Sequence, residues 1–236
     1  MIPYIIINGR SSKDVNGLII QTLPPISKPL LRTEVEEIDG RDGDIITPLG
    51  FAAYDKPITV GLRGDYDVND AIEFFNSAGE IIFSNELDKI YNFAIYDAAD
   101  FNKLVRFRTA TINIHVQPFK HSADDPVISW EGTEDAFIPV RNKGNYYSRP
   151  LITITGSNDI NMYINDVKVL SLTLAAAGET IIIDAEKMNA YSTDGSYLNR
   201  KVTGDYDDVR FLPEINNLYI TGSVTSVTVK KYSRWI

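Results

Sequence analysis

The chain contains no cysteine, only two histidines and only two tryptophans among its 236 residues. The absence of cysteine excludes a disulfide scaffold, a thiolate zinc site and a cysteine nucleophile together. It is also typical of a protein made in a reducing cytoplasm. Nothing approaches the ~18 consecutive apolar residues of a membrane-spanning helix, and the short apolar run near the start has no basic residues before it, as a signal peptide would. The expectation is a protein made inside the cell, without membrane insertion.

Basic residues are outnumbered, with 23 Lys and Arg against 32 Asp and Glu, a net charge of −9. Residues 1–125 carry 12 basic and 19 acidic residues, a net charge of −7, and residues 126–236 carry 11 and 13, a net charge of −2. Nucleic-acid affinity arises largely from counterions released when Lys and Arg neutralise phosphates. The sequence therefore predicts no specific nucleic-acid binding.

Residues arranged for catalysis or metal binding are also missing from the sequence. His115 falls within a predicted strand and His121 in a polar loop, and no nucleophile elbow, phosphate-binding loop or nucleotide fingerprint is present. Acidic turns around Asp42 and Asp207 do not follow the spacing of a helix–loop–helix calcium site. The prediction is a protein that is not an enzyme and has no cofactor and no metal site.

The residues that are abundant favour β-structure, since 13 Tyr, 10 Phe and many short Ile, Val and Thr runs are typical of strands. Residues 111–117 alternate strictly between apolar and polar, which predicts a strand with one buried face. Strands are predicted over residues 4–8, 15–22, 30–38, 57–64, 81–84, 90–96, 105–118, 151–155, 161–164, 167–172, 180–184, 218–221 and 224–231.

One helix is predicted over residues 67–80, where apolar side chains recur at helical spacing. Asp67 is a suitable N-cap and Gly79 a suitable stop. A polar segment that ends at Pro126 then suggests a domain boundary. The predicted fold is mainly β, with a barrel-like or sandwich-like domain carrying one helix in residues 1–125 and a β-sandwich in residues 126–236.

Several segments, taken in order, resemble the distal tail protein family of siphovirus-type phages and prophages. Residues 35–43, Val-Glu-Glu-Ile-Asp-Gly-Arg-Asp-Gly, are similar to the Ile-Pro-Gly-Arg-Asp-Gly loop of that family, with Asp39 where the family often has proline. Residues 142–156 resemble the start of its C-terminal sandwich. The closing residues 232–236 resemble the Arg-Trp ending of many members.

The resemblance implies an N-terminal domain that assembles into a homohexameric ring and a C-terminal galectin-like sandwich outside the ring. It implies the tail tube protein and a tail-associated fibre or hub protein as partners. The location it implies is the tail tip of the virion, after synthesis in the bacterial host cytoplasm. An acidic N-terminal domain lining the channel would repel passing DNA, which is a hypothesis for the charge excess.

Two sets of residues are candidates for contacts. The first is the glycine-containing loop, expected either to be a simple turn or to contact a neighbouring subunit: Ile38, Asp39, Gly40, Arg41, Asp42 and Gly43. The second belongs to an alternative function, recognition of host cell-wall sugars by the C-terminal sandwich, for which Tyr146, Tyr147 and Tyr191 are the candidate aromatic contacts.

Overall fold

The computed structural model describes residues 2–96 and 101–236, and the chain divides into two compact units. The N-terminal unit comprises Met1–Ala123 together with Ile236, and the C-terminal unit comprises Asp124–Trp235. The division falls two residues before the boundary expected from sequence. Both units are built mainly of strands, so the predicted mainly-β fold is confirmed.

The described residues of the N-terminal unit form one large antiparallel sheet, a separate two-stranded sheet and two helices. The elements are β1 (Ile5–Ile7), β2 (Arg10–Ser11), β3 (Leu18–Thr22), β4 (Leu31–Glu37), β5 (Asp44–Phe51), β6 (Tyr54–Leu62), α1 (Val68–Phe75), β7 (Ala78–Phe83), β8 (Lys89–Ala94), α2 (Phe101–Phe107) and β9 (Thr109–Ser122). The large sheet has the strand order β2-β1-β7-β8-β9-β6-β3.

Strand β9 shows how the sequence builds this unit. Its residues Ile112, Ile114 and Val116 are buried, as the alternation predicts, because successive side chains of a strand point to opposite faces. They belong to one apolar cluster with residues of β1, β3, β6, β7 and β8 and with the inner face of α1. That cluster is the core of the N-terminal unit.

Helix α1 begins where predicted and ends earlier. The carboxylate of Asp67 accepts from the backbone N–H groups of Asn69 and Asp70, so the predicted N-cap is confirmed. The helix ends at Phe75, and Gly79 lies inside β7 with a φ of +137°. The predicted end was wrong because the backbone of residues 78–81 pairs with β8.

Helix α2 corrects the prediction of a single helix. Residues 105–107 were assigned to the start of a strand, but they lie in α2, and β9 starts at Thr109. Among the described side chains of this helix, only Leu104 is fully buried, so its apolar residues do not form the repeating stripe that reveals a longer helix.

The strands of the C-terminal unit are β10 (Ile128–Glu131), β11 (Ala136–Asn142), β12 (Leu151–Ile164), β13 (Val167–Asp184), β14 (Asn189–Tyr191), β15 (Val202–Gly204), β16 (Glu214–Lys230) and β17 (Arg234–Trp235). In its sheet β16 pairs with β10, β11 and β12, and β13 pairs with β12, β14 and β15. Asn165 and Asp166 form the tight turn between β12 and β13, with positive φ at both residues.

Three strands of this sheet are unusually long, and each replaces two shorter predicted strands. The pairing of β12 with β13 and β16 shifts register between Gly156 and Asn161. At Gly222, with a φ of +118°, a Cβ atom would lie 2.5 Å from the carbonyl oxygen of Asp159. Such breaks let strands pass from one layer of a sandwich to the other. One buried apolar cluster includes residues from both halves of each long strand, as a folded-over sheet requires.

Candidate assembly interface

The predicted interface loop lies at the tip of a projecting hairpin. Residues 38–43 connect β4 to β5, and the backbone N–H of Arg41 donates to the carbonyl of Ile38 at 3.1 Å. Gly40 and Gly43 have φ values of +81° and +79°, which L-residues with a side chain rarely adopt. The prediction that this segment is a turn is therefore confirmed, and its role as an interface stays a prediction.

The hairpin, residues 31–51, is here called the arm. Strands β4 and β5 pair only with each other among the described residues, and every residue of β4 is exposed. An isolated two-stranded hairpin is marginally stable in water, and its free edges present unpaired backbone groups to other chains. An arm of this kind is expected to be covered by a partner in the assembled protein.

The two faces of the arm differ in chemistry. Leu31, Thr33 and Val35 share one face with their cross-strand partners Phe51, Pro48 and Ile46. Val35 is 53% exposed and Ile46 is 62% exposed. The next pair on this face is acidic, Glu37 opposite Asp44, and the opposite face carries Arg32, Glu34 and Glu36. One face of the arm therefore holds exposed apolar residues beside two carboxylates, which marks a contact surface, and a charged face lies behind it.

The arm is also strongly acidic. It contains six Asp and Glu residues against two arginines, a net charge of −4 out of −9 for the whole chain. Among the described residues, none of these six carboxylates forms an ion pair. The charge is therefore available to a positively charged partner.

A proline-rich linker, residues 23–29, joins β3 to the arm and is held by three side-chain donors. Proline has no N–H, so Pro24 and Pro25 contribute only carbonyl oxygens. The Asn85 amide donates to the carbonyl of Pro24 at 3.2 Å, and the Lys56 ammonium donates to that of Pro25 at 3.0 Å. The Tyr54 hydroxyl is 3.4 Å from the carbonyl of Ser27. The base of the arm is thus tied to β6 and the loop after β7.

Lys56 belongs to a buried polar cluster beneath this linker. Its side chain is 2% exposed, and its ammonium lies 5.0 Å from the centroid of the Tyr91 ring. The Lys120 ammonium is 2.7 Å from one carboxylate oxygen of Glu86, and the other oxygen accepts from the Tyr91 hydroxyl. Burial lowers the pKa of Lys56, and burial together with Glu86 raises the pKa of Tyr91.

The first two candidate sugar contacts lie in a cluster of tyrosines and arginines. The rings of Tyr146 and Tyr147 are 4.5 Å apart. The guanidinium of Arg234 lies 4.8 Å from the Tyr147 centroid, and those of Arg149 and Arg210 lie 5.7 and 5.6 Å from it. Cations stacked on aromatic faces hold these rings in place. Both tyrosines are half-buried, and their role as sugar contacts stays a prediction.

Tyr191, the third candidate, lies on β14 opposite Ile182, with a bridge to Tyr197. A different set of aromatic side chains is aligned across adjacent strands: Phe137 on β11, Tyr219 on β16 and Tyr163 on β12. The Tyr219 ring lies 6.4 Å from that of Phe137 and 6.0 Å from that of Tyr163. This aromatic row was missed because its members are distant in sequence.

His115 and the acidic turn at Asp207 have structural partners. His115 lies opposite Asp55, 2.7 Å from its carboxylate, across β9 and β6. Asp207 lies 2.5 Å from Arg149, in the turn Tyr206–Asp208. Within residues 2–96 and 101–236, no cluster of three such side chains is arranged to hold a metal ion, and no helix there is long and apolar enough to span a membrane.

The architecture of this chain is matched by solved structures of phage proteins. No family model and no curated protein matches the sequence. The structure matches SPP1 Dit (gp 19.1), described as a paradigm of the hub adsorption apparatus in phages infecting Gram-positive bacteria, with a TM-score of 0.69 at 16% identity over 97% of this chain and 98% of that one. The chain has the fold of the distal tail protein SPP1 Dit.

A chain of the phage P2 baseplate, in its activated conformation with Ca, also matches, with a TM-score of 0.50 at 7% identity over 97% of both chains. The resemblance to the distal tail protein family that the sequence carries is therefore confirmed at the level of the fold. Both matches extend across both units, so the fold likeness is not confined to one domain.

Proposed function

We propose that this chain is a structural component of a phage tail tip, not an enzyme. Its N-terminal units assemble into a homohexameric ring that joins the tail tube protein to a tail-associated fibre or hub protein. The distal tail fold supports this role, and the arm is the observation that carries it. An exposed hairpin whose outer edges pair with no other described strand, and whose apolar residues face solvent, needs a partner surface. Neighbouring copies in a ring supply that surface.

The first test is the mass and shape of the purified protein. Light scattering after size exclusion is expected to give a mass near six times the 26.4 kDa of one chain, and negative-stain images of that peak are expected to show rings with a central hole. A chain that stays single at high concentration, and also with the tube and hub proteins added, would contradict the proposal.

A second candidate function, recognition of host cell-wall sugars, is favoured by the aromatic row of the C-terminal unit. Tyr219 is held there by a hydrogen bond from its hydroxyl to Asp135 at 2.7 Å, which lowers the pKa of that carboxyl. Aromatic rings fixed on an exposed sheet face suit stacking contacts with ligands. Glycan-array binding that is lost in Tyr163→Ala but kept in Tyr191→Ala would support sugar recognition at the aromatic row. If the wild type binds no glycan, this function is rejected.

A further inference from the structure

A second exposed surface of the N-terminal unit has the opposite charge to the arm. It is formed by Arg63, Arg106, Phe107 and Arg108, and is here called the basic–aromatic patch. The backbone N–H of Leu62 donates to the carbonyl of Arg108 at 3.3 Å, which brings the end of β6 beside the end of α2. All four side chains are exposed, Phe107 by 60%.

The positive charges of the patch have no acidic partner in the described part of the chain. Arg106 lies over the Phe107 ring at 5.3 Å, and Arg108 lies over the Tyr66 ring at 4.4 Å. None of the three guanidinium groups forms an ion pair with a described carboxylate. Arginine and aromatic side chains are also the residue types enriched at protein interfaces.

We propose that the arm of one copy docks on the basic–aromatic patch of the next copy. One face of the arm offers the carboxylates of Glu37 and Asp44 beside the exposed apolar residues Val35 and Ile46. The patch offers exposed Phe107 and three guanidinium groups that form no ion pair with the described carboxylates. Charge and apolarity are thus complementary between two different surfaces of one unit. This inference rests on the proposed ring, and it names the two surfaces that join its subunits.

The arrangement also allows the copies to assemble into a ring. When two different surfaces of identical subunits meet, the contact is heterologous, and it generates either a closed ring or an open filament. Complementary charge disfavours the wrong pairings, arm to arm and patch to patch, since like charges repel. Every copy then has one arm to give and one patch to receive the arm of its neighbour.

The test uses two charge-reversed variants of the full chain. The arm variant carries Glu37→Lys and Asp44→Lys, which turn the charge of the face that bears Val35 and Ile46 from −2 to +2. The patch variant carries Arg63→Glu and Arg106→Glu, which turn the charge of the patch from +3 to −1. Each variant alone places like charges at every contact between arm and patch, so each is expected to elute as a single chain. Mixed in equal amounts, the reversed arm faces the reversed patch and the unchanged arm faces the unchanged patch, so alternating rings are expected from the mixture only.

Matched controls carry the same charge changes on exposed residues of the C-terminal unit. Glu131→Lys with Glu134→Lys, and Lys168→Glu with Arg200→Glu, are expected to form rings like the wild type. Rings formed by the arm or patch variant alone would overturn the inference and leave the proposed function standing. Two single-chain variants whose mixture fails to form rings would also overturn it. A wild type that never forms rings would overturn the proposed function and the inference with it.

A second measurement does not depend on reversing charge. Because the chain has no cysteine, Thr33→Cys on the arm and Asp65→Cys beside Arg63 each introduce a single thiol at an exposed position and leave the proposed contact residues in place. Rings formed from a mixture of the two variants and treated with a short bis-maleimide are expected to give cross-linked dimers containing one chain of each kind. Equal cross-linking when Asp65→Cys is replaced by Arg200→Cys would contradict the proposed contact.

Discussion

A chain whose arm is replaced by a tight turn is expected to lose ring formation completely while keeping its fold. The change substitutes Asn-Gly, the dipeptide of a two-residue hairpin turn, for residues 33–49, which lie between the paired residues Arg32 and Gly50. Light scattering after size exclusion is expected to show single chains at concentrations where the wild type forms rings. The physical reason is that the substitution removes Val35, Ile46 and all six carboxylates of the arm, which the neighbouring copy would cover.

The fold is expected to survive because the arm contributes little to the core. Its apolar residues lie outside the buried cluster of the N-terminal unit, and its base contacts that unit through Phe51, whose ring lies 5.7 Å from that of Phe119. Since Phe51 is retained, the free energy of unfolding is expected to change by less than about 1 kcal/mol. This corresponds to a shift of about 4 °C or less in the melting temperature. A truncated chain that still forms rings would contradict the proposed role of the arm.

A smaller change separates the apolar face from the arm as a whole. Burying a whole aliphatic side chain contributes about 1.5–3 kcal/mol, and Val35 and Ile46 are each more than half exposed. Val35→Ser with Ile46→Ser is therefore expected to weaken each contact by about 2–3 kcal/mol, roughly 30- to 150-fold. Thr47→Ser, on the opposite face, is the matched control and is expected to assemble normally.

The sequence predicted local features well because local chemistry decides them. Asp67 is an N-cap because its carboxylate reaches nearby backbone N–H groups, and the turn at Gly40 and Gly43 follows from their positive φ. The alternation around Ile114 specifies a buried strand face. Each of these features depends on a few consecutive residues, and none requires knowledge of the tertiary fold.

Features that depend on distant pairing were missed. Strand β5 lacks an alternating pattern because neither of its faces is buried. Strands β12, β13 and β16 were each predicted as two strands, divided where the pairing shifts register. The basic–aromatic patch gave a partial signal in the sequence Arg-Phe-Arg of residues 106–108. Its link to Arg63 exists only through the pairing of β6 with β9, which no local pattern reveals.

The two buried lysines beneath the linker are expected to respond very differently to the same substitution. Lys120→Met removes the partner of Glu86, whose side chain is 10% exposed, and leaves a carboxylate buried without its cation. Breaking a buried ion pair on one side costs about 3–5 kcal/mol. Thermal unfolding followed by circular dichroism is therefore expected to show the N-terminal unit melting roughly 10 °C or more below the wild type.

Lys56→Met leaves no carboxylate without an ion-pair partner, because Lys56 donates to the carbonyl of Pro25. Removing a desolvated ammonium is favourable, while the unpaired Pro25 carbonyl is unfavourable, so the two effects nearly offset and stability is expected to change by about 1 kcal/mol or less. The linker nevertheless loses a tether at the base of the arm. Amide hydrogen exchange at Ile26, Ser27 and Lys28 is expected to accelerate, and ring formation is expected to need about tenfold more protein.

The contrast between the two variants tests whether the cluster positions the arm or only supports the core. If Lys56→Met lowers the melting temperature as much as Lys120→Met does, Lys56 supports the core, and a role in positioning the arm is rejected. If Lys56→Met leaves both the melting temperature and ring formation unchanged, Asn85 and Tyr54 suffice to hold the linker. Only weakened assembly at unchanged stability assigns Lys56 to the arm, since that outcome requires the base of the arm to move while the core stays intact.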